Sequence, residues 1–448
     1  MNAEQPSLGG DPHSRQNIVI VGGGAGGLEL ATHLGHKLGR KHKAKITLID
    51  RKRTHIWKPL LHEVATGTLD TGTESVSYHA HGARHGYQFE LGELTNLDTR
   101  NKTYTLAPRL DQDGKVLMPS RELPYDTLIM AVGSISNDFG TPGVQEHCYL
   151  LDSTRQADRF HTALIDRFTD IHQNRPGDRL RIAIVGAGAT GVELSAELHR
   201  VTELLRSYGM AGMSRHQLEV TLVEAGPRVL PALPERISTS VTRELINIGV
   251  KVSTSTMVSS ADENGLLTKD GERIDADLMV WAAGVKAPDF VGKIDGLSLN
   301  RGNQIETNEY LQAKDPEGNV IDGLWVIGDC CSFTMEDGTR VPPRAQSAHQ
   351  MASCVFKNLM NQRVAKPLKG FAYHDHGSLV SLSRYSAVGS LMGNLSSKSM
   401  FVEGKLARLF YISLYRMHQI AIHGKFRGAL IVVLDWLTRV IKPKMKLH

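Results

Sequence analysis

Two glycine-rich turns constrain this chain more than any other feature. One closes the segment Ile18–Gly27 (IVIVGGGAGG), the other Arg181–Gly191 (RIAIVGAGATG). Each follows a short β-branched run that reads as a buried parallel strand, and each opens onto a helical pattern. In that setting the first glycine (Gly22, Gly186) permits a tight turn and the second (Gly24, Gly188) lets backbone approach a pyrophosphate. The third (Gly27, Gly191) lets helix and strand pack closely, and the helix N-terminus favours the phosphate charge. Gly23, Ala25 and Gly26 complete the first loop. One such turn is weak evidence. Two of them, each between strand and helix, predict an α/β fold with two Rossmann-type domains that hold two dinucleotides and pass electrons between them.

The first turn leads into a helix from Gly27 to about Gly39 and then a strand, Ala44–Asp50. A carboxylate at that strand end is placed to accept hydrogen bonds from an adenosine ribose. Asp50 and its neighbour Arg51 are therefore candidate binding residues, the alternative being that Asp50 caps a turn. Far downstream, Gly323–Asp329 (GLWVIGD) reads as another buried strand ending in Gly-Asp. In flavoproteins with two dinucleotides such a strand returns beside the first, and its aspartate, here Asp329, meets the ribityl chain of FAD. The segments Tyr125–Ser134 and Asp277–Gly284 read as apolar strands that close the two lobes, the second ending on Ala283 and Gly284. A strand near Phe89–Thr95 is expected to pass the adenine, with Leu94 offering backbone groups.

At the second turn the following strand, Leu218–Glu224, again ends in an acid. Glu224 would bond a free ribose 2′-hydroxyl and repel a 2′-phosphate, favouring NADH over NADPH. Arg228, four residues on, could blunt that preference. The interval from Gly188 to Glu224 is longer than usual, the extra length being a polar, helix-like stretch from Arg200 to His216. Glu193 is read as lying in the first helical turn, where the helix dipole favours a carboxylate without any catalytic role. It also lies near where nicotinamide would meet flavin, so both readings stand.

At this point the residues resemble the type II NADH dehydrogenases, single-chain NADH:quinone oxidoreductases. The resemblance runs from about Gln16 to the C-terminus. It rests on the first turn, on His62–Gly67 (HEVATG), Gly186–Glu193, Leu222–Pro231, Trp281–Val285 and Val326–Asp329, and most specifically on Arg344–Gln350 (RAQSAHQ). The last looks like the family's quinone-pocket motif. Gln346 and Gln350 are four apart, so both amides fall on one helix face, where they can bond quinone carbonyls. The family implies that Ala345 and Gln346 touch the flavin. It implies hydride transfer from NADH to N5 of non-covalently held FAD, then two electrons to a membrane quinone, without proton pumping. Proton donors to the quinone stay open among Glu193, His349 and solvent.

Disulfide reductases of the same fold carry a CxxxxC after the first βαβ unit, and the matching stretch here, Trp57–Val64, has no cysteine. Sulfide:quinone oxidoreductases need a cysteine pair at the flavin, for which Cys148, Cys330 and Cys354 are candidates by position. A soluble reductase of a protein acceptor is a further alternative. The four cysteines show no CxxC or zinc spacing and read as free thiols in a reducing compartment. No metal site is expected.

The length of 448 residues suits two or three domains. The N-terminus shows neither a basic nor an apolar signal region, and residues to about Arg15 read as a lead-in. Charge is unevenly spread. From Lys405 onward nine Lys/Arg face one acid, Asp435, a net +8, so residues 1–404 carry −3 of the total +5. Two helical stretches are expected there, Leu406–Ile422 and Phe426–Ile441. The apolar run of the second falls short of the ~20 residues needed to span a bilayer. Basic, aromatic-bearing amphipathic helices lie in an anionic membrane surface, each basic residue contributing roughly 1 kcal/mol. No nucleic-acid module accompanies the charge, and a homodimer is possible. The expected layout is an FAD domain of 1–153 and 286–372, an NADH domain of 154–285, and a membrane-facing segment of 373–448, on the cytoplasmic face of the cell membrane.

Overall fold

The structure is a computed structural model that describes residues 15–175, 177–207, 217–382, 386–391 and 400–404, with single positions 419, 420, 422, 424 and 445. In chain order the elements used below begin with β1 (Gln16–Val21), α1 (Ala25–Leu34), β2 (Ala44–Asp50), α2 (Leu61–Ala65), β3 (Gln88–Leu91) and β4 (Thr127–Met130). Next come β5 (Cys148–Leu150), α3 (Thr154–Asn174), β6 (Leu180–Val185), α4 (Ala189–Ser207), β7 (Leu218–Val223), α5 (Glu235–Ile248), β8 (Lys251–Ser253) and β9 (Leu278–Trp281). The last are β10 (Gln312–Lys314), β11 (Val320–Val326) and α6 (Ala345–Gln362).

The chain forms two compact units, one of residues 1–55, 77–133 and 288–372, the other of 56–76, 134–287 and 373–448. The first contains a six-stranded sheet in the order β10–β11–β4–β1–β2–β3. β1 pairs in parallel with β2 (Ile18↔Ile46) and with β4 (Ile18↔Thr127), and β11 adds in parallel to β4 (Leu128↔Leu324). Ile18, Val19, Ile20, Leu48, Ile49 and Ile129 are buried, as a continuous apolar run requires in a strand covered on both faces.

The second unit has a five-stranded parallel sheet in the order β5–β9–β6–β7–β8. Its core joins Ile182, Ile184, Val220, Leu222 and Val280 to α3 through Phe160, Leu164 and Phe168. Ser153 starts α3, its hydroxyl accepting from the Gln156 amide. Both units thus carry the βαβ turn at the carboxyl end of a central strand, which is where open α/β sheets bind ligands.

Three features differ from the sequence reading. The helix after the first turn is α-helical only to Leu34 and closes as a π-type turn over Gly35–Gly39. No single strand covers 89–95: β3 stops at Leu91, the Gly92 amide bonds the Asp50 carbonyl, and Leu94 opens a separate antiparallel strand, Leu94–Asp98, in register with Leu106. Within the expected membrane segment, Gly377–Leu382, Ser386–Leu391 and Met400–Gly404 form a three-stranded antiparallel sheet, with Val380 and Leu382 in the second unit's core. Apart from isolated positions, the expected helices beyond Lys405 lie outside the described residues. Among the described residues no helix is long and apolar enough to cross a membrane, and no group of three His, Cys, Asp or Glu could hold a metal ion.

Candidate functional site

In the first unit the turn begins at Gly22, whose φ is +106°. A Cβ there would lie 2.2 Å from the Ala131 carbonyl oxygen, so glycine is required on both counts. The next residue, Gly23, is held through both its N–H and its carbonyl. The Gly23 N–H donates to Asp50 Oδ2 at 2.7 Å, while Asp50 Oδ1 accepts from the Lys52 N–H at 2.8 Å. The Gly23 carbonyl accepts from the Tyr78 hydroxyl at 2.7 Å and from His55 Nδ1 at 2.8 Å. Burial pushes the His55 imidazole down to about 4 and the Tyr78 phenol well above its usual range, so both are neutral at neutral pH. A carbonyl only accepts, so Nδ1 of His55 carries the proton.

Beyond this clamp the loop opens. A Cβ on Gly24 would meet nothing within 4 Å. Gly24 is also the N-cap of α1, which has no side-chain cap and no acid in its first turn. Backbone donors at a helix N-terminus, with room in front and no competing carboxylate, suit the pyrophosphate of a dinucleotide. The residues present therefore fit FAD.

Asp329 follows β11 in the turn Gly328–Cys330, and the Gly328 amide lies 3.2 Å from Met351 Sδ of α6. The Asp329 turn and the helix carrying Ala345, Gln346 and Gln350 are thereby brought together. α6 also starts without a side-chain cap or an acid in its first turn. Ser347, Ala348 and Met351 are buried, whereas Gln346, His349 and Gln350 are half-buried. His349 Nδ1 pairs with the buried carboxylate of Glu29 on α1. Arg51 turns outward into an exposed pair with Glu93 at 3.7 Å, and buried Leu94 belongs to the separate sheet already described.

The second unit repeats the arrangement with different parts. Gly186 has φ +102°, and a Cβ on it would lie 2.7 Å from Ala283 Cα. The Ala187 N–H donates to Glu224 Oε2 at 2.8 Å, and Glu224 Oε1 accepts from the Gly226 N–H at 2.8 Å. The Ala187 carbonyl accepts from the backbone N–H of Leu230 at 2.8 Å. A Cβ on Gly188 would meet nothing within 4 Å, and α4 has no acid in its first turn. This loop too fits a dinucleotide. Arg228 is drawn aside, donating to the Pro231 and Leu233 carbonyls at 3.2 and 3.3 Å.

Glu193 needs a correction. It lies beyond the first turn of α4, where the helix dipole no longer accounts for it. It is 6% exposed. Its Oε2 is 3.5 Å from Nδ1 of His62, itself 4% exposed and carried on α2, and its Oε1 accepts from the Ser381 N–H at 3.1 Å. Sequence reasoning quoted His62 inside the HEVATG motif without assigning it a partner. It also missed His55 and Tyr78, which meet Gly23 from 32 and 55 residues away with no local signal.

All four cysteines are free thiols. Cys330 Sγ donates to the Ile327 and Met130 carbonyls at 3.4 and 3.6 Å, and Cys331 contacts the Thr307 hydroxyl at 3.7 Å. Burial pushes the thiols of Cys148, Cys330 and Cys331 up to about 12, and that of Cys354 upward. Burial of this kind disfavours the thiolate.

Comparison with known proteins agrees with this geometry. Residues 16–352 match the family described as pyridine nucleotide-disulphide oxidoreductase. The chain is 48% identical over 448 residues to a type II NADH:quinone oxidoreductase of Haemophilus influenzae, covering 97% of this chain and all of the relative. The fold is similar to a solved structure of NDH2 from Plasmodium falciparum in complex with NADH, at 18% identity, TM-score 0.80, and coverage of 97% and 100% of the two chains. It is also similar to the sulfide:quinone oxidoreductase of Aquifex aeolicus, at 17% identity, TM-score 0.72, and 92% of each chain. Fold alone does not separate those two activities; the 48% identity to the Haemophilus influenzae enzyme does. The chain is therefore an oxidoreductase that uses FAD and NADH, and it belongs to the type II NADH:quinone oxidoreductases.

Proposed function

We propose that the first unit holds FAD and the second holds NADH, with quinone reduced beside the glutamines of α6. What carries this reading is the pair of clamped turns, each open in front of its second glycine and each ending on a carboxylate. FAD, when bound, supplies the two-electron relay, taking hydride from NADH and passing electrons to quinone.

The chain's own residues bind, orient and discriminate. Gly22, Gly23, Gly24, Ala25 and Gly26 cradle the FAD pyrophosphate, Asp50 orients the adenosine ribose, and Asp329 takes the ribityl chain. Gly186, Gly188, Gly191, Ala283 and Gly284 do the same for NADH. Glu224 selects against a 2′-phosphate, and Arg228, which could blunt that selection, is drawn to the Pro231 and Leu233 carbonyls. Gln346 and Gln350 orient the quinone by donating from their amides. Glu193, held by His62 and the Ser381 amide, keeps a carboxylate fixed in the second unit. The FAD domain takes in 286–372 and the NADH domain is inserted before it. The basic C-terminal helices bind an anionic membrane surface from the cytoplasmic side, and a homodimer fits the same attachment.

Sequential stopped-flow absorbance tests this. NADH should bleach the flavin of both wild type and Gln350→Ala at similar rates, and a short-chain ubiquinone should reoxidise wild type fast and the variant at least about tenfold more slowly. Slow bleaching of the variant would move Gln350 to the nucleotide side. Rapid reoxidation of the variant would remove it from the quinone site.

A further inference from the structure

The geometry points to Phe139 as a further binding residue, an aromatic wall for the nicotinamide–ribose half of the dinucleotide; this rests on the reading that the second unit holds NADH. Phe139 is 67% exposed, an unusual position for a large apolar ring. Its φ is +53°, a left-handed conformation that bulky residues rarely adopt and that clusters at functional sites.

The surrounding structure holds it there. Ile135–Ser136 pairs antiparallel with Val285–Lys286. The Asn137 N–H bonds the Gly284 carbonyl at 3.3 Å, and the Asn137 carbonyl accepts from Trp281 Nε1 at 2.8 Å. Asn137 Oδ1 then accepts from the Phe139 N–H at 3.0 Å. The ring is thereby set against Gly284, where a Cβ would come within 2.7 Å of Phe139 Cζ.

Position in the sheet names the occupant. The order is β9–β6–β7, and the glycine turn follows the central strand β6. Glu224, the ribose-binding acid, follows β7 on one side. Gly284 follows β9 on the other, next to Ala283, which packs against Gly186. A dinucleotide whose adenosine lies over β7 and whose phosphates face Gly188 must extend its other half across β9. That half is a nicotinamide riboside, a flat heteroaromatic ring that an exposed phenyl group can pack against.

The test compares NADH with ADP-ribose, which lacks nicotinamide, by anaerobic calorimetry on the FAD-loaded protein with its flavin already reduced, so that NADH binds without transferring hydride. Phe139→Asn removes the ring but keeps a side chain that tolerates left-handed backbone; Phe139→Tyr keeps the ring. Phe139→Asn should weaken NADH about tenfold and leave ADP-ribose within about twofold, with Phe139→Tyr restoring NADH affinity. Unchanged NADH affinity in Phe139→Asn, or equal weakening of both ligands, would overturn the inference. Glu224→Arg serves as the control: if it changes neither ligand, the NADH-site reading itself has failed, whatever Phe139 does.

Discussion

In the first glycine turn the carbonyl of Gly23 is held by two side chains, Tyr78 and His55; in the second, the equivalent carbonyl of Ala187 is held by the backbone N–H of Leu230. The amide side of both peptides is the same, donating to the carboxylate that ends the next strand. This difference explains a difference in sequence. A Cβ at position 23 would lie 2.4 Å from the Tyr78 ring, so this position must be glycine. The second loop, clamped by backbone from Leu230, accommodates alanine at the matching place. Both acids pin their own turn, each also accepting from a backbone N–H two residues further on.

The largest effect is expected from the first glycines. Gly22→Ala forces a side chain into a backbone carbonyl at positive φ, and should cost about 4 kcal/mol or more with loss of flavin absorbance. Gly186→Ala should leave flavin bound but abolish bleaching by NADH. If Gly22→Ala stays yellow and Gly186→Ala turns colourless, the assignment of the two units is reversed.

Next, Gly23→Ala should cost about 2–3 kcal/mol through overpacking against Tyr78, whereas Ala187→Gly should cost no more than about 1 kcal/mol. Equal losses in urea unfolding would break the contrast between the clamps.

The first clamp should also respond to pH through His55, a group with no counterpart at the Ala187 carbonyl. The folded value of His55, about 4, lies below its unfolded 6.5. Below 6.5 the unfolded chain therefore binds more protons. This contribution is fully present above pH 6.5 and is lost as pH falls toward 4, by at most about 1.4 kcal/mol per pH unit. Chemical unfolding of wild type against His55→Gln should show a shallower fall in the variant over that window; parallel curves would rule out this role for His55.

A small effect, about 1 kcal/mol, is also expected of Tyr78→Phe, because His55 still donates to the same carbonyl. A loss of 3 kcal/mol or more in thermal or chemical unfolding would mean that the hydroxyl, not the imidazole, is the principal clamp.

Much of the site was legible along the chain. The positions of the turns and of Asp50, Glu224 and Asp329 at the ends of strands are legible because each lies at a fixed offset from a strand whose apolar run is visible locally. Helical spacing places Gln346 and Gln350 on one face of α6, and the structure has both on that helix, half-buried. Arg51 and Leu94 were placed by proximity to those strands, and proximity does not predict direction: Arg51 faces solvent and Leu94 enters another sheet. The reading of Glu193 in the first helical turn left a dipole role and a functional role both open; the helix begins at Ala189, which puts Glu193 past that turn. Histidine was the least legible type, since nothing local shows that His55 will meet Gly23, 32 residues away, or that His62 will meet Glu193.

The sequence by itself determined the two strand–turn–helix units, their glycines and their terminal carboxylates, because those interactions are made within a single βαβ repeat. Only the tertiary structure decided what closes each clamp: Tyr78 and His55 for one, Leu230 for the other, His62 beside Glu193, and Phe139 against Gly284. These contacts join segments far apart in the chain, and their energy depends on burial and mutual geometry that no local pattern encodes.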